Sequence, residues 1–494
     1  LAGEILAPCL YPPSPQGDND AAAWTEIVRW AADGRNQKGR GGASGQCVPR
    51  RSLETRTEKP PTQVPRHAFD PRRPVTTPQA GEAVVTQESE SMKHATCRTK
   101  SLVLTACSIA ALAAWPAAAT GAAQGGVTPE DQEKIEAAIP AKAIVPPAKP
   151  RKLLIFDLNV GYGGHGSIPT ANLAFTRMGE KTGAFQTVVS RDPSVFQPDS
   201  LRQFDAVFFN NNVGNLFEDP GLRQSLIEFV YGGGGLLGVH GTTVAFTRWT
   251  EGAREDWPEF GIMLGGRGAS HKAADEHAVI KLDDPAHPVN QVFGGQSFEY
   301  RSEFFRVHEP YSRDRVRVLF SIDTQRTDMN QMPAYGGAVR ADDDYALAWV
   351  RNYGRGRVFY CTIAHQPAIF WDPKMLQFYL AAAQFALGDL PAPTLPSSKL
   401  MPAIRAQEQL GWRLGIEAYT FHKYTLFEAI DKTAELGLSY MGGLSFQKVS
   451  ADIPKNFDPQ LTDDELRQIR LKLDAAGVRL LTYYIQQIPG DPEG

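Results

Sequence analysis

Cysteine is nearly missing from the part of this chain that can fold. Of five cysteines, Cys9, Cys47, Cys97 and Cys107 stand toward the amino terminus, and Cys361 alone lies in the body of the chain. A single thiol excludes an internal disulfide there, and it excludes a metal site built from four thiolates. Long apolar runs are missing too, since the run at residues 102–115 is shorter than the roughly 20 residues that span a bilayer. Neither sign of charge dominates. The formal net charge is -4, with both signs interspersed and no long basic tract in the folded part, which argues against a nucleic-acid or anionic-membrane partner. No His-x-x-x-His spacing marks a helical metal site. What is present is 42% hydrophobic residues over 494 positions, more than one core usually takes, so two or more globular domains are expected.

The first residues are not part of that globule. Residues 1–91 are rich in Pro, Gly, Arg and Thr and lack apolar periodicity, which predicts disorder. Met92-Lys93-His94 then supplies a charged start, residues 102–115 an apolar centre, and residues 116–123 a small-residue stretch with cleavage near Ala119 or Ala123. These are the three parts of a secretory signal peptide at 92–123, so we expect Met92 to be the true start and residues 1–91 to be upstream sequence. Leu104-Thr105-Ala106-Cys107 resembles a lipobox, but the apolar run continues past Cys107. A periplasmic or secreted protein follows, touching the membrane only during export.

Residues 124–150 form a Pro/Ala/Lys-rich spacer with a short polar helix. The body opens with a buried-type strand at 152–156, a glycine-rich loop through Gly161 to Gly166, and a helix whose Ala171, Ala174, Phe175 and Met178 recur at helical spacing. A strand at 206–209 runs into Asn210-Asn211-Asn212, a helix follows, and the run Gly232-Gly233-Gly234-Gly235 feeds an apolar strand ending in His240. Such alternation predicts an α/β fold with a doubly wound, largely parallel sheet, and a ligand crevice beyond the carboxyl ends of the strands. The strand-turn with a glycine-flanked polar residue is similar to a nucleophile elbow, here carrying an imidazole instead of a thiol or hydroxyl. Two strand-like runs joined by Asn352-Tyr353-Gly354-Arg355-Gly356 read as a hairpin, with His365 directly after it. Residues 391–410 read as a linker. Beyond it, residues 411–494 alternate strand and helix as the opening of a β/α barrel does, and about 80 residues cannot close a barrel of about 250, so an incomplete barrel fragment is expected.

Several motifs stand in a familiar order. Gly164-His165, Gly238-Val239-His240-Gly241, Gly265-Gly266-Arg267 before His271, Asp284-Pro285-Ala286-His287-Pro288, and Trp349-Val350-Arg351 through to Ala364-His365 resemble a trehalose-utilisation (ThuA-like) domain over residues 151–390. The resemblance implies a fold like the class I glutamine amidotransferases and a place in carbohydrate catabolism, including keto-sugar routes for disaccharides. The amidotransferase cysteine is absent at the elbow, so glutamine hydrolysis is not expected. Where the family commonly has an Asp-Glu pair, this chain has Ser302-Glu303 and keeps one carboxylate. Glu417-Ala418-Tyr419-Thr420-Phe421-His422 and Ala434-Glu435-Leu436-Gly437 resemble the start of a xylose-isomerase-like barrel, a sugar phosphate isomerase/epimerase. The metal-binding residues of such barrels lie mainly on later strands, so catalysis by this piece is not expected.

The candidate catalytic residues are therefore His165, His240, His365 and Glu303. Asn210, Asn211, Thr242 and Arg267 are candidate sugar contacts, and His271 is a candidate metal ligand. Imidazoles with one carboxylate can hold a divalent metal such as zinc, or they can supply an acid and a base to a sugar hydroxyl or carbonyl. Both remain open on spacing alone. The expected function is an exported enzyme hydrolysing or isomerising a sugar or keto-glycoside. The alternative is a non-catalytic carbohydrate-binding module fused to the barrel piece, and a third reading is a scaffold for protein contacts.

Overall fold

The computed structural model describes residues 126–248, 254–332 and 340–486. The expected upstream segment 1–91 and the expected signal peptide 92–123 lie outside them. Among the described residues no helix is long and apolar enough to cross a membrane.

The first domain is built on a sheet of nine strands. They are β1 (Lys152–Phe156), β2 (Gln186–Ser190), β3 (Ala206–Asn210), β4 (Gly235–Val239), β5 (Glu276–Leu282), β6 (Phe298–Ser302), β7 (Arg317–Ile322), β8 (Ala346–Tyr353) and β9 (Gly356–Cys361). Their order is β6-β5-β7-β8-β9-β4-β3-β1-β2. The five strands from β9 to β2 are parallel to one another, as the alternation predicts. From β9 outward the sheet continues antiparallel, because β8 and β9 are a hairpin and the pairings beyond it also reverse.

Each central strand is covered on both faces, which is why its sequence is continuously apolar. In β1, Leu153 and Ile155 enter one core, while Leu154 and Phe156 enter the other. Helices α2 (Ile168–Thr182) and α5 (Pro373–Leu387) cover the first face, and α3 (Pro220–Tyr231) and α4 (Pro258–Leu264) the second. The double winding is thus present. Helix starts follow their caps: Asp219 accepts from the Gly221 N–H, Asp372 from those of Lys374 and Met375, and each is followed by proline.

The stretch read as a spacer is anchored to this domain. It carries α1 (Pro129–Ala138), and the buried Gln384 side chain bonds the main chain of Ile144 and Val145 on both its oxygen and its nitrogen. Likewise 391–410 carries α6 (Pro402–Leu410), where Glu408 pairs with Arg317 and Arg405 lies 3.5 Å from Asp284.

Beyond α6 stand β10 (Gly415–Glu417), α7 (Leu426–Glu435), β11 (Tyr440–Leu444), α8 (Asp463–Ala476) and β12 (Arg479–Tyr484). The three strands form a separate parallel sheet in chain order, and both helices start with a capping box, Thr425 with Glu428 and Thr462 with Glu465. Helix α8 docks on the first domain. Arg467 lies 2.7 Å from Glu259, Arg351 pairs with Asp474, and Lys399 donates to the Ala476 carbonyl.

Candidate active site

Parallel strands bring their carboxyl ends to one edge of the sheet. His165 follows β1, His240 follows β4 and His365 follows β9, so the topology alone gathers three imidazoles. The antiparallel strands complete the set. By alternation β6 ends at that same edge, and Glu303 follows it directly. The chain then returns across the edge, where the Phe305 N–H donates to Thr362 Oγ1 at 2.9 Å.

The elbow is strained at its histidine. His240 has φ of 41°, in the left-handed region that a β-substituted residue rarely enters. Gly241 beside it leaves little room for a side chain, because a Cβ there would sit 3.2 Å from His165 Cε1 and 3.1 Å from the Asn211 carbonyl oxygen, closer than most such contacts. The turn thereby lets two imidazoles meet. The His165 ring lies edge-on to His240 with centroids 4.8 Å apart, and His365 lies 5.4 Å from His165 and 5.2 Å from His240.

One carboxylate faces three imidazoles, those of His240, His271 and His365. Glu303 Oε1 is 3.3 Å from His240 Nε2, and Oε2 is 3.2 Å from His271 Nδ1 and 3.8 Å from His365 Nε2. His240 Nδ1 lies 2.9 Å from the Thr362 carbonyl, which can only accept, so this nitrogen carries a proton. The other nitrogen, Nε2, then faces the carboxylate. Such a pair is held together by a proton or a cation between them. His240 Nε2 faces the Glu303 carboxylate, and His165 Nδ1 and His365 Nδ1 are buried without a hydrogen-bond partner among the described residues. His165, His240, Glu303 and His365 each place one donor atom within 4.8 Å of the others, the chemistry and span of a site for a divalent cation. The bond from His240 to a main-chain carbonyl is the kind that orients a metal-ligating imidazole.

Electrostatics agree with the geometry. Burial, reinforced by the neighbouring imidazoles of His240, His365 and His271, lowers His165 to about 2, although a hydrogen bond to the Asn211 main chain pulls the other way. Burial and His240 likewise bring His365 down to about 4 against the attraction of Glu303. Burial on its own raises the Glu303 carboxyl, but the hydrogen bond to His240 and the surrounding imidazoles outweigh it and hold it below its ordinary value. At neutral pH His165 and His365 are uncharged and Glu303 is ionised.

Not every predicted site residue arrives. His271 bonds the Lys272 carbonyl and Glu303 through the same Nδ1, beside the four-residue group and outside it. Asn210 and Asn211 are fully buried, and their amide groups donate inward: Asn210 to the Ile168 carbonyl and Asn172, Asn211 to the Ala364 carbonyl and Ser167. Thr242 is also fully buried, its hydroxyl 2.8 Å from both the Phe209 and Val239 carbonyls. These three residues spend those groups on the protein itself. Arg267 lies 3.3 Å from Glu255 on the strand Arg267–Ser270, paired there and not with the imidazoles. His287 caps the turn Pro288–Phe293 and bonds the Pro393 carbonyl, a structural role.

Two rings escaped the reading of the sequence. Phe305 packs 4.0 Å from His240 and 5.6 Å from His271, and Tyr162 lies 5.3 Å from His165, centroid to centroid. Burial and the Glu303 charge raise the Tyr162 phenol above its ordinary value. Its position between Gly161 and Gly163, three residues before a candidate histidine, was the available signal.

Residues 152–386 match the family model described as ThuA, trehalose utilisation. No curated protein matches the chain. Among solved structures, a protein described as ThuA-like from Bacteroides uniformis is 20% identical, with a TM-score of 0.39, over 48% of this chain and 92% of that one. A second, from Parabacteroides merdae, is 18% identical at TM-score 0.36 over 49% and 92%. A β-galactosidase from Rahnella sp. R3 is 15% identical at TM-score 0.31 over 49% of this chain and 32% of that one.

Proposed function

Starting from the ThuA-like domain at residues 152–386, we propose that the chain is a carbohydrate-processing enzyme, hydrolysing or isomerising a sugar or keto-glycoside at the His165, His240, Glu303 and His365 cluster. The observation that carries this is the convergence of three imidazoles and one carboxylate, each with a donor atom within 4.8 Å of the others. Such a group can hold a cation or pass a proton.

The side chains divide the work by depth. His240 is wholly buried and held by the Thr362 carbonyl, so it anchors the site. Glu303 and His365 are reachable, their side chains 11% and 25% exposed, and they meet the substrate. Neutral His365 accepts a proton from a sugar hydroxyl or an attacking water, and ionised Glu303 steadies the imidazolium that results. A divalent cation such as zinc, held by the cluster, would polarise the reacting oxygen. An exported setting, with the leader at 92–123, stays part of this proposal.

The test uses the full chain with trehalose and with its keto derivative, each with added zinc and after chelation. Turnover that falls at least 100-fold in His240→Ala supports the reading. Turnover unchanged in that variant removes it, and sugar binding without any turnover favours the carbohydrate-binding module instead.

A further inference from the structure

The cluster is rich in acceptors. The carboxylate of Glu303 accepts, the imidazole nitrogens face the same space, and the nearby donors Asn210, Asn211 and Thr242 are spent on the main chain behind them. A sugar, however, offers oxygens as well as hydroxyl protons, and it offers an apolar face of C–H groups. A side chain beside the cluster must match both.

Tyr162 occupies that place. The base of its loop is pinned to the chain after β3: the Val160 N–H donates to the Val213 carbonyl at 2.9 Å, the Val213 N–H to Asn159 Oδ1 at 2.8 Å, and the Asn212 amide to the Leu158 carbonyl at 2.9 Å. Above that base, Gly161 and Gly164 take φ of 68° and 85°, a left-handed conformation that glycine adopts without steric cost. The two turns present the intervening tyrosine toward His165. Its ring is tilted 55° to the imidazole and packs on the small apolar group of Val213, Val244 and Phe305, leaving it half-buried. Phe305 in turn lies against His240. One run of aromatic contacts therefore leads from the half-buried Tyr162 through Phe305 to the fully buried His240.

We propose that Tyr162 is a specificity-determining residue of this site, its ring packing on the C–H face of a neutral sugar and its hydroxyl bonding a sugar oxygen beside His165. A tyrosine suits both parts, being an apolar plate with one polar tip. The proposal rests on the carbohydrate reading above and adds the residue that recognises the ligand.

Tyr162→Phe and Tyr162→Ala in the full chain separate the hydroxyl from the ring. The phenylalanine variant is expected to raise the KM for keto-trehalose about tenfold, the worth of one hydrogen bond to a sugar. The alanine variant is expected to raise it about 100-fold, while bound zinc per chain, measured by atomic emission, stays at the wild-type level in both. Trehalose binding followed by calorimetry reads the contact independently of turnover, with the same ordering expected. A wild type that turns over sugar with KM and trehalose affinity unchanged in both variants overturns the proposal and leaves the enzyme reading standing. An inactive protein whose trehalose binding is lost in Tyr162→Ala does the reverse. A wild type that neither binds nor converts sugar overturns both.

Discussion

Replacing Glu303 by glutamine keeps the shape of the side chain and removes the charge that faces His240, His271 and His365 at 3.3, 3.2 and 3.8 Å. Two unit charges about 4 Å apart interact by about 4 kcal/mol at an effective dielectric of about 20, the value suited to a partly buried pair. A doubly charged cation among these groups feels about twice that, and desolvation of both partners takes back a large share. We take the net loss as about 4 kcal/mol, which is roughly a 1,000-fold weaker dissociation constant. Linkage turns that number into a stability measurement. With zinc at about 1,000 times the wild-type dissociation constant, the metal stabilises the wild type by about 4 kcal/mol. The same zinc concentration equals the variant's dissociation constant and adds only about 0.4 kcal/mol. Urea unfolding of Glu303→Gln and wild type, each with zinc and with chelator, reads the difference directly. Equal zinc-induced stabilisation in the two proteins would refute the reasoning, because it would mean that the carboxylate is not part of the cation site.

Two further outcomes follow from the same geometry. In chelator, His165 and His365 titrate near 2 and 4 in the folded protein against about 6.5 unfolded, so the unfolded chain binds protons that the folded one refuses. Stability is therefore fully present above about pH 6.5 and falls as the pH drops toward 4, and His365→Gln should flatten the fall in urea midpoints between those values; a slope unchanged by the variant would contradict it. Asn211→Ala removes bonds to the Ala364 carbonyl, Ser167 and the Gly241 N–H, so about 2–3 kcal/mol of stability should go while the KM for keto-trehalose stays put. A raised KM with unchanged melting would return Asn211 to the sugar-binding residues.

The sequence was most legible where local chemistry and long-range order coincide. Continuous apolar runs at β1, β3 and β4 mark strands covered on both faces, and residues directly after such strands fall at one edge whatever the loops do. That is why His165, His240 and His365 could be placed together without any short ligand spacing. Asn210, Asn211 and Thr242 sit at the same edge, yet their amide and hydroxyl groups bond main-chain carbonyls. Position after a strand says which edge a side chain reaches, and it does not say whether the side chain faces the crevice or the main chain beneath it. The antiparallel half was less legible, because a strand's direction is set by its partner and not by its own residues. The segments 124–150 and 391–410 look like spacers by composition, yet one buried glutamine and two arginine-carboxylate contacts fasten them to the domain.

The turn at His240 has the backbone of a nucleophile elbow and a different use for it. In that arrangement a strained turn exposes one side chain, and the strain is worth keeping only if the exposed group reacts. Here the strained residue is His240, whose side chain is fully buried, so the turn does not serve to present a nucleophile to solvent. It aims Nε2 at Glu303 and, through the absence of a Cβ at Gly241, admits His165 from the neighbouring loop. The same backbone device that elsewhere exposes one atom thus gathers several. A histidine at such a turn suits coordination or proton transfer, which needs a cluster, where a thiol would suit covalent attack by a single nucleophile. On this reasoning the buried position of His240 counts for the proposed function and not against it, because a ligand or an anchoring base works from inside the wall that the substrate touches.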